Sequence, residues 1–188
     1  MQMAIATREW TVEELWALPE DGNRYEVIDG ELFVTPAPAW LHQDAVGYIY
    51  AKLLAYLTSF RVAHVKVSPA DVRYGPRTMI QPDVFVAPLV EGRKPRNWNE
   101  LTGLLLAIEV LSPSTARSDR TVKRRLYQRE GVPEYWIVDI DARLIERWRP
   151  ADERPEILTA TIDWQPDPAY PPFVIDLVEY FAEVFDER

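Results

Sequence analysis

Two carboxylates in strand-like segments could together bind a divalent cation. Asp83 follows a proline at the start of Pro82–Ala87, and Glu109 is the single charged residue of the apolar segment Leu104–Leu111. Ionised carboxylates are rarely buried without a partner or a metal, and neighbouring strands can bring two side chains to one face of a sheet. Mg²⁺ is usually held by one or two carboxylates, with water and substrate phosphate as further ligands. An isolated aspartate is more typical of a turn, so the predicted metal site depends on the pair.

A lysine could complete this site from a helix, which the sequence predicts from Ser114 to about Glu130, with the serine as its N-cap. Asp119, Lys123 and Tyr127 recur there every four residues and share one stripe, beside an apolar stripe that packs on the sheet. We therefore expect Lys123 to reach the strand that carries Glu109. The alternative is an ordinary surface pair with Asp119, which would contribute about 0.2–1 kcal/mol.

The same predicted helix carries a basic strip. Clustered arginines could hold nucleic-acid phosphates without reading bases. The strip consists of Arg117, Arg120, Arg124 and Arg125. Because the whole chain has a net charge of −9, general coating of nucleic acid is disfavoured, and a solvated helix face is the alternative interpretation of the strip.

The elements that must position these residues have clear local signals near the N-terminus. Thr11 predicts the N-cap of a short helix. Asp29-Gly30 predicts a tight hairpin turn between the strands Arg24–Ile28 and Glu31–Thr35. Apolar residues at three- and four-residue steps predict the longest helix over Trp40–Phe60.

The rest of the chain reads as strands around the second long helix. The tail Ile175–Val184 has helical spacing, and the proline-rich segment Pro150–Pro172 is predicted to be a loop. Two long helices with apolar faces, separated by strands, predict a mixed sheet with the helices on opposite or adjacent faces. Strands are predicted over Val62–Val67, Ala70–Tyr74, Pro82–Ala87, Leu104–Leu111, Tyr135–Asp139 and Leu144–Trp148.

Several of these segments resemble a known family. The segments PDVFVA and LLLAIEVLSPSTARSDRTVKRRLYQREGVPEYWIVD, with the earlier RYEVIDGELFVTPAP and LHQDAV, resemble the Uma-type family of putative restriction endonucleases, a branch of the PD-(D/E)XK nuclease superfamily. The resemblance covers roughly Thr11 to Arg149. It implies an α/β, restriction-endonuclease-like fold with a central mixed β-sheet flanked by helices, an N-terminal helix and hairpin, and one domain spanning residues 1–188.

The resemblance also implies roles for particular residues. A Pro-Asp strand and a Glu-x-Lys strand build the metal site of the superfamily, which implies Asp83 and Glu109 as its metal ligands. The residue two after Glu109 is Leu111, and the resemblance instead implies Lys123, on the following helix, as the catalytic lysine. Glu26 is a further catalytic candidate, because related nucleases place an N-terminal acidic residue near the metal. A histidine at a helix start, His42, is expected to be a capping or core-edge residue, and the strand residue His64 is expected to be structural.

The function implied by the resemblance is a Mg²⁺-dependent endonuclease, with Mn²⁺ as a possible substitute, that hydrolyses phosphodiester bonds in nucleic acid, DNA in the first instance. The alternative is a non-catalytic nuclease-fold module for nucleic-acid binding or interaction, which the net charge of −9 favours. A homodimer is predicted from the dimeric habit of related nucleases and from an aromatic set comprising Tyr135, Trp136, Trp148 and Trp164.

Composition limits the chemistry and the cellular location that we expect for the protein. With no cysteine in the chain, disulfides, thiolate metal sites and thiol nucleophiles are excluded. The start MQMAIATREW lacks the apolar core of a secretory signal, and no stretch approaches the roughly 20 apolar residues that span a bilayer. The simplest expectation is a cytoplasmic protein without a membrane partner.

Overall fold

The computed structural model describes residues 8–187. Residues 1–7 lie outside this range. They make up most of the N-terminal segment that is predicted to lack a secretory signal. The helices are α1 (Val12–Leu15), α2 (Trp40–Phe60), α3 (three consecutive segments, Ala116–Ser118, Asp119–Lys123 and Arg124–Arg129) and α4 (Leu177–Val184), with a 3₁₀ turn at Trp98–Glu100. The strands are β1 (Arg24–Ile28), β2 (Glu31–Thr35), β3 (Ala63–Val67), β4 (Val72–Gly75), β5 (Thr78–Ile80), β6 (Val84–Pro88), β7 (Leu106–Val110), β8 (Glu134–Asp139), β9 (Leu144–Trp148), β10 (Glu156–Leu158), β11 (Thr161–Trp164) and β12 (Phe173–Asp176).

A six-stranded mixed sheet forms the centre of the fold, with the strand order β10-β9-β8-β7-β6-β3. Strand β7 lies inside it, parallel to β8 and antiparallel to β6. All five residues of β7 are buried, as its nearly continuous apolar sequence predicts for an interior strand. The mixed central sheet is therefore confirmed.

A second, four-stranded antiparallel sheet has the order β2-β1-β5-β4. Its first hairpin turns at Asp29 (φ 52°) and Gly30 (φ 86°), the pair of positive φ angles that a two-residue turn of this kind requires. The predicted hairpin is confirmed. Strands β11 and β12 form a separate two-stranded ribbon.

Different elements pack on the two faces of the central sheet. Alternate residues of β7, such as Ile108 and Val110, pack in one apolar cluster with α2 and α4. Ala107 packs on the other face, in a cluster that contains Leu126 and Tyr127 of α3 together with residues of the four-stranded sheet. The two long helices thus lie on opposite faces of the sheet, as predicted, and α3 is on the face to which Glu109 points.

Three expectations about local structure are wrong. The predicted loop Pro150–Pro172 contains β10 and β11, because strands of three or four residues are too short to show a clear alternation. Thr115, and not Ser114, is the N-cap of α3, and its side chain makes no capping hydrogen bond. The tail begins as strand β12, and its last residue, Asp176, then caps α4 by accepting a hydrogen bond from the Glu179 N–H. Within residues 8–187, no helix is both long and apolar enough to cross a membrane.

Candidate active site

Glu109 lies in the middle of the central sheet and is fully buried. Its Oε1 accepts hydrogen bonds of 3.0 Å from the ammonium of Lys123 and from the hydroxyl of Tyr127. Its Oε2 is buried without a hydrogen-bond partner. An unpartnered carboxylate oxygen is costly in a protein interior, by about 1–3 kcal/mol or more, so this oxygen is a candidate ligand atom.

Asp83 is brought beside Glu109 by the register of β6 and β7. The ladder pairs Val84 with Ile108, and Asp83 and Glu109 are the next residues along the two strands. The Asp83 Oδ2 accepts a hydrogen bond of 2.9 Å from the backbone N–H of Val110. The predicted pair of carboxylates therefore meets on one face of the sheet.

Two cationic or polar side chains from other elements contact Asp83. Arg24 of β1 donates a hydrogen bond of 2.7 Å from Nη1 to Oδ1, and the Nε2 of His42 lies 3.2 Å from Oδ2. Burial alone would raise the pKa of Asp83, but these two neighbours and the Val110 N–H outweigh it and lower the pKa to about 2. His42 was expected to cap α2 or to lie at the core edge. The capping role is wrong, because the N-cap is Ala39. The side chain is nearly buried, as a core-edge position predicts, and its imidazole lies against Asp83.

Lys123 is buried, with 1% of its side chain exposed. Its Nζ lies 3.0 Å from Glu26 Oε2, 3.0 Å from Glu109 Oε1 and 3.7 Å from Asp119 Oδ1. Burial alone would lower the pKa of Lys123, but the three carboxylates outweigh burial and raise it. The alternative of an ordinary surface pair with Asp119 is therefore wrong, and the predicted reach to the strand of Glu109 is confirmed.

Glu26 links the smaller sheet to this cluster. It lies on β1 with 1% exposure, and its Oε1 accepts a hydrogen bond of 2.7 Å from the backbone N–H of Gln81. Its other oxygen faces Lys123. The structure thus brings together all four residues predicted for catalysis: Glu26, Asp83, Glu109 and Lys123.

The helix α3 reaches the site through an irregular turn. Residues Asp119–Lys123 form a π-helical segment, whereas the segments before and after it are α-helical. Such wide turns are rare and frequently occur at functional sites. Asp119 and Lys123 are both buried, and both carboxylate oxygens of Asp119 lack a hydrogen-bond partner. Burial raises the pKa of Asp119.

The buried cluster carries more negative than positive charge. Its four carboxylates are Glu26, Asp83, Glu109 and Asp119, and its two permanent cations are Arg24 and Lys123. With His42 uncharged, these groups in their ordinary charge states leave two negative charges in excess. Burial raises the pKa of Glu109 well above its ordinary value of 4.5, and the ammonium of Lys123 only partly offsets this. The cluster must therefore take up protons or bind a cation.

A cleft of about 920 Å³ opens beside the cluster. Asp83, Arg24 and His42 line its polar part, while Leu15 and Trp16 at the end of α1 and several prolines supply apolar walls. Ligand sites in proteins usually measure about 300–1,000 Å³, so the cleft could admit part of a nucleic-acid strand. Asp83 is the carboxylate of the cluster that this cleft reaches.

The donor set suits a hard divalent cation. Mg²⁺ and Mn²⁺ prefer oxygen ligands and accept two protein carboxylates with water and phosphate as the remainder. Asp83 and Glu109 supply such oxygens, and Glu109 Oε2 has no other partner. Among residues 8–187 there is no group of three or more histidine, aspartate or glutamate side chains placed to hold a metal ion together.

The four arginines of the predicted basic strip have different environments. Arg117 and Arg125 are exposed. Arg120 contacts Glu146 at 2.6 Å and Asp139 at 2.8 Å, and the guanidinium of Arg124 lies 4.7 Å from the ring centre of Trp148. The last two arginines already have partners within the chain.

Three residues of the cluster were not assigned to it from sequence. Arg24 is the first residue of an ordinary hairpin strand and gives no signal of its own. Asp119 and Tyr127 share the four-residue stripe with Lys123, and the conjunction of a basic, an acidic and an aromatic residue in that stripe is a signal that could have identified them. The stripe faces the sheet and is buried.

Comparisons with known proteins support this assignment of fold. A model of the family described as Uma2, putative restriction endonuclease, matches residues 12–178. The crystal structure of a putative nuclease belonging to DUF820 from Anabaena variabilis ATCC 29413 is similar, with a TM-score of 0.74 and 21% identity over 93% of this chain and 99% of that chain. At this identity the likeness shows a shared fold and confirms the predicted architecture. No curated protein matches the chain.

Proposed function

Because the chain belongs to the Uma2 family of putative restriction endonucleases, we propose that it is a metal-dependent endonuclease that hydrolyses phosphodiester bonds in DNA. The observation that carries this proposal is the unpartnered Oε2 of Glu109, in a buried cluster whose four carboxylates outnumber its two permanent cations. One divalent cation would cancel the excess. A structural core would gain nothing from such an imbalance, since unpaired buried charge is strongly unfavourable.

In the proposed mechanism, Asp83 and Glu109 would hold Mg²⁺ or Mn²⁺. When bound, the cation would lower the pKa of a water molecule and neutralise charge on the phosphate. Lys123 would supply a fixed positive charge beside Glu109, where it stabilises the negative charge that develops on the phosphate oxygens. Glu26 Oε2 also contacts the ammonium, at 3.0 Å, and so helps to fix its position.

The exposed arginines of α3, Arg117 and Arg125, would contact flanking phosphates. Such contacts position a strand without selecting a sequence. Arg120 and Arg124 contribute less to this role, because the first is paired with two carboxylates and the second is stacked on an indole.

Cleavage of supercoiled plasmid tests the proposal. The purified protein should nick or linearise the plasmid with Mg²⁺ or Mn²⁺, and EDTA should abolish cleavage. Asp83→Asn and Glu109→Gln should each lose cleavage while remaining folded. Asp71→Asn is a matched control, since Asp71 lines the same cleft but pairs with Gln81 at 2.8 Å. Equal cutting by the wild type and both site variants would contradict the proposal.

A non-catalytic nuclease-fold module is the second candidate. It is favoured by the net charge of −9 and by the complete burial of Glu109, which keeps that carboxylate away from the surface. Under this alternative, the protein would bind nucleic acid or a partner and cut nothing with either metal. The plasmid assay, combined with a binding measurement on the same preparation, separates the two functions.

A further inference from the structure

Arg24 contacts the site from a different sheet and has unused hydrogen-bonding capacity. Its Nη1 donates to Asp83 at 2.7 Å and to the carbonyl of Gln81 at 3.2 Å. Its Nε is buried without a partner, and 18% of its side chain is exposed. The guanidinium therefore lies at the boundary between the buried cluster and the cleft.

The cleft offers an incoming phosphate little other positive charge. Among the described residues that line it, Arg24 is the only lysine or arginine, whereas Glu20, Asp71 and Asp83 are acidic. The ammonium of Lys123 is buried behind this surface. A phosphate that enters the cleft without a cation would meet an acidic wall in which the one guanidinium is already paired.

A divalent cation and Arg24 need the same carboxylate. Both are attracted by Asp83, and neither of its oxygens is free, because Oδ1 accepts a hydrogen bond from Arg24 while Oδ2 accepts one from the Val110 N–H and lies beside His42. When a cation neutralises Asp83, the attraction that holds the guanidinium weakens. A released guanidinium has a planar set of donors that matches phosphate oxygens.

We propose that Arg24 is the phosphate-binding residue of the cleft and that it competes with the divalent cation for Asp83. The inference rests on the proposed function and adds to it the group that holds the substrate. It also gives metal and substrate binding an order, in which the cation binds first and frees Arg24 for the phosphate. A purely structural Arg24 would instead support the position of Asp83 and thereby favour metal binding.

Calorimetric titration with Mn²⁺ distinguishes these two roles without measuring cleavage. If Arg24 competes with the cation, Arg24→Gln should bind Mn²⁺ more tightly than the wild type, by roughly tenfold, since a charge next to the ligand has been removed. Arg77→Gln is a matched control, because Arg77 is an exposed arginine that pairs with Glu9 and its loss changes the net charge equally. The control should bind Mn²⁺ as the wild type does.

Binding of fluorescein-labelled DNA in Ca²⁺, followed by anisotropy, tests the phosphate contact. Single-stranded and duplex DNA should each bind Arg24→Gln about tenfold more weakly, as expected for the loss of one charged hydrogen bond. Arg24→Lys keeps the charge and serves if the glutamine variant does not fold. It should bind Mn²⁺ within about threefold of the wild type yet lose several-fold in DNA affinity, because an ammonium lacks the planar donor set.

Unchanged or weaker Mn²⁺ binding by folded Arg24→Gln would overturn the inference, as would wild-type DNA affinity in Arg24→Lys. If the wild type cuts plasmid but Arg24→Gln shows no gain in Mn²⁺ affinity, the proposed function stands and the inference alone fails. If Arg24→Gln gains Mn²⁺ affinity while no preparation cuts nucleic acid, catalysis fails and the competition for Asp83 stands. If neither protein binds Mn²⁺, both fail.

Discussion

The hydroxyl of Tyr127 and the ammonium of Lys123 converge on one oxygen of Glu109, each at 3.0 Å, and leave the other oxygen without a partner. This asymmetry fixes the orientation of a carboxylate that lies in the middle of the sheet. The free oxygen is the one available to a cation.

Removal of the Tyr127 hydroxyl should destabilise the metal-free protein. We expect Tyr127→Phe to lower the free energy of unfolding by about 1.5–3 kcal/mol, the range for a hydrogen bond to a charged group. Tyr180→Phe is a matched control, because the Tyr180 hydroxyl is buried but donates to a neutral carbonyl, that of Ala45, at 2.8 Å. Its loss should be smaller, about 0.5–1.5 kcal/mol. Urea denaturation in EDTA, at a pH above the folded-state pKa of Glu109, measures both, and equal losses would contradict the charged hydrogen bond.

Replacement of Lys123 should affect stability as well as cleavage. Lys123→Met leaves buried carboxylates without their cation, so we expect a loss of about 3–5 kcal/mol in unfolding free energy. Lys52→Met is a control, since Lys52 pairs with Glu183 at 3.6 Å near the surface and should lose under about 1 kcal/mol. A loss of that small size in Lys123→Met, measured by urea denaturation, would contradict the buried cluster.

If the variant is sufficiently stable to assay, its cleavage rate should fall roughly 10²- to 10³-fold, the effect of removing one preorganised transition-state donor. Lys123→Arg should not restore the rate, because a guanidinium does not fit the space of an ammonium between two carboxylates at 3.0 Å. Wild-type cleavage by either variant would remove Lys123 from the mechanism.

The pH dependence of stability should reveal the buried carboxylates. The folded-state pKa of Glu109 lies well above the ordinary value of 4.5. Between about pH 4.5 and that folded pKa, the folded protein therefore holds a proton that the unfolded chain has lost. Metal-free stability should therefore fall with rising pH across this window. Asp83 changes stability with pH in the opposite direction. Its folded pKa of about 2 lies below the ordinary 3.8, so the stability that the ionised carboxylate contributes is lost as pH falls below 3.8.

Urea denaturation at a series of pH values, in EDTA and in Mg²⁺, measures this dependence. Mg²⁺ should flatten the decline toward neutral pH, because the ionised carboxylate is then the favoured state. Glu109→Gln should reduce the decline in EDTA. The same slope in the wild type and in Glu109→Gln would show that another group is responsible.

Replacing different arginines of α3 should have different effects, on DNA binding for Arg125 and on stability for Arg120. Arg125→Ala should weaken DNA binding a few-fold and reduce the dependence of log affinity on log salt by about 1, as expected for one lost phosphate contact. Arg143→Ala is a control, since Arg143 is comparably exposed but pairs with Glu187. Arg120→Ala should instead lower thermal stability, because it leaves Asp139 and Glu146 without their cation. Anisotropy at several salt concentrations tests the first, and an unchanged salt slope would exclude Arg125 from the interface.

Features set by local chemistry were predictable from sequence. The Asp29-Gly30 turn and the helix Trp40–Phe60 need only turn-forming residues and an apolar period, and both have the predicted bounds. The meeting of Asp83 and Glu109 was predictable because Asp83 directly precedes the buried strand β6 and Glu109 lies on its neighbour β7.

Features that depend on tertiary packing were not predictable in this way. The burial of Asp119 and the contact of Arg24 with Asp83 require the four-stranded sheet and α3 to cover the same face, and no local pattern specifies that. The aromatic set behind the predicted homodimer lies within the chain's own core, so the set does not support a dimer interface. The homodimer and the single domain over residues 1–188 stay predictions.

The π-helical turn in α3 affects the direction in which side chains four residues apart face around the helix axis. An α-helix rotates about 100° per residue, so residues four apart drift by about 40° at each step. Over Asp119, Lys123 and Tyr127 that drift would carry the last side chain about 80° around the axis from the first. A wider turn over Asp119–Lys123 takes back the first step of this drift. Asp119, Lys123 and Tyr127, all three buried, can therefore face the sheet together.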